Sequence, residues 1–404
     1  MNMAKILAIG GIGEGHVNPM LPIIKAWCED GDEVHFYSTE DARVKVEAAG
    51  AVFKPFENFL GGVRQEDISH FLEFIVLLLN SADHVVPTVV EQARQEAYDF
   101  VFHDSLFGWG NLIARLLKLP NIASHASFAS TGKKPKMAGE TLLKQVGDLL
   151  KGGKFIPEIK RLSANLAKTY DVSGPSINEV FCQTGQLNLV YTSTYFQPDY
   201  ERLDHSYVFS GPSISTRESH SDFPLDSLKG DDRPVVYISM GTVLAKSEPF
   251  FRLCLDAFSD GSYQVVISAG RYTDMELFRN APSHIIARPY VPQLEVLQRS
   301  AVFVSHGGMN SVSEALYYDV PLVLIPHAAD QPIIAARVEK LGAGVILNKS
   351  KLTAAKLRDA VNQAFNEQRF KRSAATIGQS LRDAGGYRTA LLAADRFRQE
   401  RGIN

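Results

Sequence analysis

The chain predicts an α/β protein of two domains, each built on a doubly wound parallel sheet, and three observations carry that expectation. Short apolar runs alternate with helical stretches through both halves, a glycine-rich turn joins a strand to a helix in each half, and a polar stretch parts them. At 404 residues the chain suits two domains of ~200 residues each.

Lys5 to Ile9 reads as a buried strand, followed by the turn Gly10-Gly11-Ile12-Gly13-Glu14-Gly15-His16 and a helix from about Asn18 to Glu29. Strands at Glu33 to Ser38 and Ala51 to Pro55 flank a helix at Asp41 to Ala49, which is the βαβαβ rhythm of a parallel sheet. Residues 57–97 read as loop plus amphipathic helix. Phe100 to His103 is a strand ending at Asp104, Gly108 to Leu117 a helix, and Asn121 to Ser124 a further strand. Residues 130–186 break the rhythm with weakly periodic helices, an insertion suited to shaping a pocket, before Leu187 to Thr192 returns as a strand.

The segment 211–234, GPSISTRESHSDFPLDSLKGDDRP, has the Ser, Pro, Asp and Gly content of an exposed connection. Beyond it, strands are expected at Val235 to Ser239, Gln264 to Ser268, Ile285 to Arg288, Ala301 to Ser305, Pro321 to Ile325 and Gly344 to Ile346. Helices near 249–259, 293–298, 310–318, 331–341 and 353–366 alternate with them. Thr376 to Arg401 is helical, with Gly385-Gly386 in its middle.

Composition narrows the chemistry. Hydrophobic content of 45% and charged content of 22% describe a globular chain with apolar material for two cores. A net charge of -3 supplies no basic field for nucleic acid or for an anionic membrane. An acidic ligand must then be held by local devices such as helix ends. Cys28, Cys182 and Cys254 are odd in number and widely spaced, without CxxC, which argues against a disulfide framework or a zinc site and fits a reducing cytoplasm. Residues 1–9 hold no long apolar region or cleavage site, so no signal peptide is expected. The longest apolar run, Phe71 to Leu79, is broken by Glu73 and too short to span a bilayer, so no stable membrane insertion is expected.

The most informative stretch is AVFVSHGGMNSVSEALYYDVPLVLIPHAADQ, Ala301 to Gln331. Two strands frame a helix whose first turn follows Gly307-Gly308. Such a helix start offers unpaired N–H groups and partial positive charge, and glycines let an anion come close. A nucleotide diphosphate suits it: His306 adds a donor, while Ser311 and Glu314, three apart on one helical face, can reach phosphate and ribose hydroxyls. A tight turn with a capping Ser explains the same residues, and physics alone does not separate the two. HGGMNSxxEAL followed by VPLVLIPHAADQ resembles the donor-binding signature of the UDP-glycosyltransferase superfamily, in particular its bacterial macrolide-type members (glycosyltransferase family 1). The opening GGIGEGHVNPMLPI also fits that family, so the resemblance covers nearly the whole chain.

The resemblance implies the GT-B fold: two Rossmann-like doubly wound domains facing a cleft. It places an acceptor-binding domain at residues 1–212, joined by a C-terminal crossover helix at about 386–404, and a donor-binding domain at 213–385. Its donor contacts carry over by motif. Asn310 lies within the helix-start motif. Tyr290-Val291-Pro292-Gln293 stands where the family has Trp-x-Pro-Gln: the ring stacks on uracil, the Val291 backbone pairs with the base, and Gln293 reaches toward the nucleoside. Tyr for Trp is a departure that leaves uracil or thymine open. Gly241-Thr242 resembles the loop touching the diphosphate, and Asp330-Gln331 the pair bonding sugar hydroxyls. Asp330 is also a good helix N-cap. The acceptor is expected against Phe59, Phe71, Phe74, Ile75, Leu78 and the 125–137 loop, an apolar wall; the same stripe at helical spacing also reads as core.

In an open parallel sheet, ligands sit beyond the carboxyl ends of the strands near the point where strand order reverses. His16 and Asp104 follow the first and fourth strands and project from that edge. A His beside a carboxylate is held in one tautomer and made a better proton acceptor. Taken singly, His16 reads equally as a helix cap or anion ligand, and Asp104 as an exposed loop acid. The resemblance makes His16 the general base on an acceptor hydroxyl and Asp104 its partner. The implied reaction is inverting transfer of a hexose, glucose from UDP-glucose, to a hydroxyl of a hydrophobic macrolide, flavonoid or other phenolic molecule. Helix-end N–H groups would stabilise the departing diphosphate, so neither metal nor cofactor is expected. Asp30-Gly31-Asp32, the one DxD-like triplet, lies at the other end of the sheet and reads as a turn.

Other readings fit less well. GGIGEG lacks the GxGxxG order of a nicotinamide-dependent oxidoreductase. No G-x-S-x-G elbow supports an α/β hydrolase. A UDP-sugar epimerase of the same fold would need no acceptor pocket, and a non-catalytic nucleotide-binding module would need no His16 and Asp104 pair.

Overall fold

The computed structural model describes residues 3–58, 70–130, 152–214, 223–228, 232–241 and 248–403. The chain divides into two compact units, Met1–Ser215 with Ala384–Asn404, and Thr216–Asp383.

Unit 1 is a parallel sheet of β1 (Lys5–Ile9), β2 (Glu33–Ser38), β3 (Val52–Pro55), β4 (Phe100–Asp104), β5 (Asn121–His125), β6 (Leu187–Val190) and β7 (Tyr207–Phe209), in the order β3-β2-β1-β4-β5-β6-β7. Both faces are covered. Ile6 and Ala8 of β1 enter one apolar core and Leu7 and Ile9 the other, so the strand reads as a continuous apolar run. On the first face, α2 (Leu21–Glu29) buries Ile23, Ile24 and Trp27. The Trp27 ring meets Phe100 and Phe102 edge-on, with centroids 5.6 and 5.2 Å away.

The C-terminal helix α14 (Tyr387–Gln399) lays Ala390, Ala394 and Phe397 into the same core. Arg398 fixes it there: its Nη1 lies 2.6 Å from Asp32 Oδ2, and Oδ1 of the same carboxylate accepts the Ala4 N–H at 2.9 Å. Asp30-Gly31-Asp32 is thus a turn that anchors this helix. Gly31 has φ 97°, a conformation that favours glycine.

On the second face lies α4 (Phe71–Ala93), whose Ile75, Leu78, Leu79, Ala82, Val85, Val86 and Val89 enter the other core. The expectation of a short apolar run underestimated it. At 23 residues it is long and apolar enough to cross a membrane by length and composition, with half of the apolar stretch buried inside the protein.

Two further expectations are corrected. The single helix from about Asn18 is instead α1 (Glu14–Val17) and then α2, so His16 lies inside a helical turn rather than in a loop. Pro19 falls in the interruption and cannot donate to a helical ladder, whereas Pro22 sits in the first turn of α2, where no donor is needed. The strand β7 is new: three half-buried residues at the sheet edge are too few to show a period.

Unit 2 repeats the plan with β8 (Val235–Ser239), β9 (Gln264–Ser268), β10 (Ile285–Arg288), β11 (Ser300–Ser305), β12 (Leu322–Leu324) and β13 (Gly344–Ile346), all parallel, in the order β10-β9-β8-β11-β12-β13. Val236 and Ile238 face one core. The rings of Tyr237 and Phe303 stack at 4.8 Å.

In each unit the strand order reverses once, between β1 and β4 and between β8 and β11. The register pairs Ile9 with His103 and Ser239 with Ser305, so each pair of strands ends level. The segments leaving those four ends carry the residues of interest.

Candidate active site

The α/β fold with two parallel sheets is as expected, and in unit 1 the reversal point brings together the two residues singled out there. His16 Nδ1 lies 2.8 Å from Asp104 Oδ2. Asp104 is fully buried, and its Oδ1 accepts the N–H groups of Leu106 at 2.9 Å and Phe107 at 2.7 Å. With both carboxylate oxygens acting as acceptors, Nδ1 is the donor, and Nε2 is the lone-pair nitrogen of the neutral ring. His16 keeps 24% of its side chain exposed, so the pair is shielded on one side and open on the other.

The surroundings hold this geometry. Phe107 packs edge-on to the His16 ring at 4.9 Å. A Cβ at Gly11 would stand 2.6 Å from the His16 Cβ, so only glycine fits beside it. Lys45 on α3 (Arg43–Ala48) reaches Glu14 at 2.8 Å and Asn18 at 3.3 Å, bracketing the turn that bears His16. Behind Asp104, buried His103 bonds the Asp104 carbonyl through Nδ1 at 2.9 Å, and its Nε2 faces Asn121 Nδ2 at 3.2 Å. Burial pushes its pKa down to about 4, so it is neutral at pH 7 and holds the main chain rather than adding charge.

Phe107 was not singled out from the sequence. The signal was present, because an Asp followed two and three residues later by N–H donors is a capping pattern.

The apolar residues expected to meet an acceptor separate. Ile75 and Leu78 are fully buried core residues on α4, so that part of the expectation fails: their side chains are committed to packing. Phe71 is 45% exposed, with its ring edge-on to Phe181 at 5.0 Å. Phe74 is half-buried and its ring lies 6.2 Å from that of Phe107, beside His16. Phe59 and residues 131–137 of the expected loop lie outside the described residues.

In unit 2 the turn after β11 runs into α10 (Met309–Tyr317). Gly308 is the N-cap and, as a glycine, has no side chain to cap the first-turn donors. Gly307 has φ 89°. His306 is buried between two glycines: a Cβ at Gly241 would come within 2.6 Å of its Cε1, and one at Gly308 within 2.6 Å of its Nε2. Its pKa is pushed down to about 4 by burial and by the neighbouring His327, against a hydrogen bond to the Ser239 main chain. Among the described residues its Nδ1 is buried without a hydrogen-bond partner, a defect of ~1–3 kcal/mol that a ligand atom would relieve. Asn310 and Ser311 lie half-buried in the first turn of the helix.

The residues expected to meet a nucleoside lie together. Gln293 Nε2 donates to Glu314 Oε2 at 2.6 Å, and Tyr237 Oη donates to Gln293 Oε1 at 3.2 Å. Tyr237 was not foreseen, because only the fold brings β8 to a residue 56 positions away. Tyr290 is 63% exposed and the Val291 side chain is buried.

Asp330 does not cap its helix, α11 (Gln331–Lys340). It already has helical angles, φ −83° and ψ −12°, after Ala329 turns the chain through φ 57°. Gln331 Oε1 accepts the N–H groups of His327 at 2.8 Å and Ala328 at 3.2 Å, which fixes the orientation of its amide. Thr242 lies outside the described residues.

The buried histidines set a pH dependence. His103 and His306 each have a folded pKa near 4, below the ordinary 6.5, so the unfolded chain binds more protons at these two positions between those values and their contribution to stability rises with pH through that window. Urea unfolding midpoints should fall between pH 6.5 and 4, by up to about 3 kcal/mol for each histidine, and His103→Gln should flatten the fall. Equal stability at pH 7 and 4.5 would contradict the burial of neutral rings.

Comparison with known proteins places this geometry. Residues 252–383 match the family model of the erythromycin biosynthesis protein CIII-like C-terminal domain. The chain is 37% identical to the uncharacterized UDP-glucosyltransferase YdhE of Bacillus subtilis (strain 168), over 94% of this chain and 95% of that one. It is 34% identical to the uncharacterized UDP-glucosyltransferase YojK of the same organism, over 96% of each. Among solved structures, the glycotransferase of kitacinnamycin superposes with a TM-score of 0.82 at 24% identity, covering 98% of this chain and 99% of that one. The chain therefore belongs to the bacterial macrolide-type UDP-glycosyltransferases, transferases of glycosyltransferase family 1 with the GT-B fold.

Proposed function

We propose that this glycosyltransferase is an inverting, metal-independent enzyme that moves glucose from UDP-glucose to a hydroxyl of a hydrophobic small molecule. The observation that carries the reading is the 2.8 Å contact of His16 with Asp104, which presents Nε2 of His16 as a base.

In this reading the acceptor hydroxyl donates its proton to Nε2 as its oxygen attacks the anomeric carbon of the sugar. The bond from that carbon to the diphosphate breaks on the opposite side. Asp104 stabilises the imidazolium that forms, and its own contacts keep it from turning away. The uncapped start of α10 and His306 receive the charge that develops on the diphosphate, work that a metal does at other sites. Glu314, oriented by Gln293, takes ribose hydroxyls; Tyr290 stacks on the base; Asp330 and the Gln331 amide hold the sugar. Glucose is favoured by the relatives that bear the name UDP-glucosyltransferase, and a hydrophobic acceptor by Phe74, whose ring meets that of Phe107 beside His16.

A panel of UDP-glucose, UDP-galactose, UDP-N-acetylglucosamine and TDP-glucose with a hydrophobic phenol, read by mass spectrometry, tests the whole. UDP-glucose should give the largest hexose adduct, undiminished by EDTA. An isomerised nucleotide sugar without adduct, or a strict metal requirement, would overturn the reading. Replacing His16 with Ala should lower turnover by ~100- to 10,000-fold and leave UDP affinity by calorimetry nearly unchanged. Parallel loss of both would make His16 structural.

A further inference from the structure

A second group of polar side chains lies beside Asp104 without a part in glycosyl transfer. Cys182 follows the short helix α7 (Ile177–Phe181), and its Sγ lies 3.8 Å from Nδ1 of His125 at the end of β5. The other ring nitrogen, Nε2, is 3.1 Å from Asn188 Oδ1 on β6.

The proton on His125 can be located from Asn188. Its Oδ1 accepts the Gly185 N–H at 2.9 Å, while its Nδ2 donates to the Gly185 carbonyl at 3.1 Å and to Ser206 Oγ at 3.0 Å. That clamp fixes which end of the amide faces the ring. Nε2 must therefore donate, and the Nδ1 lone pair is turned toward the thiol. A thiol facing an imidazole lone pair hands over its proton readily.

The electrostatics agree. Burial opposes ionisation of Cys182, but His125 outweighs it and holds the thiol below its ordinary pKa; His125 is in turn held above its own, against burial, by Cys182, Asn188 and Asp104. The titratable neighbours are few: His103, which the charge of His125 disfavours, and Tyr207, whose ring lies 5.8 Å from that of His125. The other cysteines behave oppositely. Burial pushes half-buried Cys28 up to about 11, and pushes fully buried Cys254 higher still.

We propose that Cys182 is a modification site, a thiolate that reacts with small hydroperoxides and whose oxidation disables the acceptor side of unit 1. The sulfur attacks one oxygen of hydrogen peroxide, an S–O bond forms as the O–O bond breaks, and the departing hydroxide takes the proton from His125 Nδ1 to leave as water. The thiolate is oxidised to a sulfenic acid and the peroxide is reduced. Cys182 is 7% exposed, enough for a reagent of this size, and an oxygen added to its Sγ must disturb the 3.8 Å contact with His125. The next residue, Gln183, donates its N–H to the Ser105 carbonyl at 2.6 Å, and Ser105 follows Asp104. Strain at Cys182 thus reaches the carboxylate that orients His16.

The effect on turnover rests on the function proposed above; the reactivity does not. The folded protein is treated with hydrogen peroxide at pH 7, trapped with dimedone under denaturing conditions, and read by peptide mass spectrometry. The adduct should build at Cys182 about tenfold faster than at the more exposed Cys28. Turnover should fall in step and return with dithiothreitol, UDP affinity should hold, and Cys182→Ser should resist peroxide. Labelling of Cys28 at an equal or higher rate would overturn the site. Inactivation of Cys182→Ser at the parent rate would overturn its link to activity, as would labelling of Cys182 without loss of turnover.

Discussion

The contact between His16 and Asp104 is the constraint on which the proposed acceptor chemistry depends, and it comes from topology. The two residues are 88 positions apart, and only the adjacency of β1 and β4 at the reversal of strand order delivers them to one point. Each is then held by backbone means: Asp104 by two main-chain donors, His16 by a four-residue helix that leaves Gly13 with φ 86°. A carboxylate held this way needs no reorganisation when its partner becomes charged.

In the proposed reaction unit 2 uses the same reversal for a different task. There the strand ends supply glycines and a helix start, a surface of donors rather than a base. Gly241 and Gly308 both lie against the Cε1–Nε2 edge of the His306 ring, and burial with the nearby His327 keeps the ring neutral. A neutral ring among main-chain dipoles suits an anionic ligand that must later leave, because a full buried charge would hold it more firmly.

The sequence shows these two places well because both are short-range features. A buried strand, a glycine turn and a helix start lie within about 15 residues of one another, and their periodicity survives without tertiary information. What it hides is pairing over distance. Tyr237 reaching Gln293, Arg398 closing on Asp32, and Cys182 meeting His125 and Asn188 are each products of strand order. Ile75 and Leu78 show the converse failure: an apolar stripe on a helix states that a face will be covered, not whether protein or ligand covers it. Asp330 failed as a cap because its backbone had already entered the helical region, which composition does not reveal.

The proposed reaction is one direct displacement, with a base on the acceptor and no nucleophile from the enzyme touching the sugar. The configuration of the product's anomeric carbon reads that most directly. Glucose delivered from the α-linked donor should appear as the β-glucoside in the proton NMR spectrum of the purified product. An α-glucoside would contradict the account, because retention requires an intermediate that the His16 and Asp104 pair does not provide.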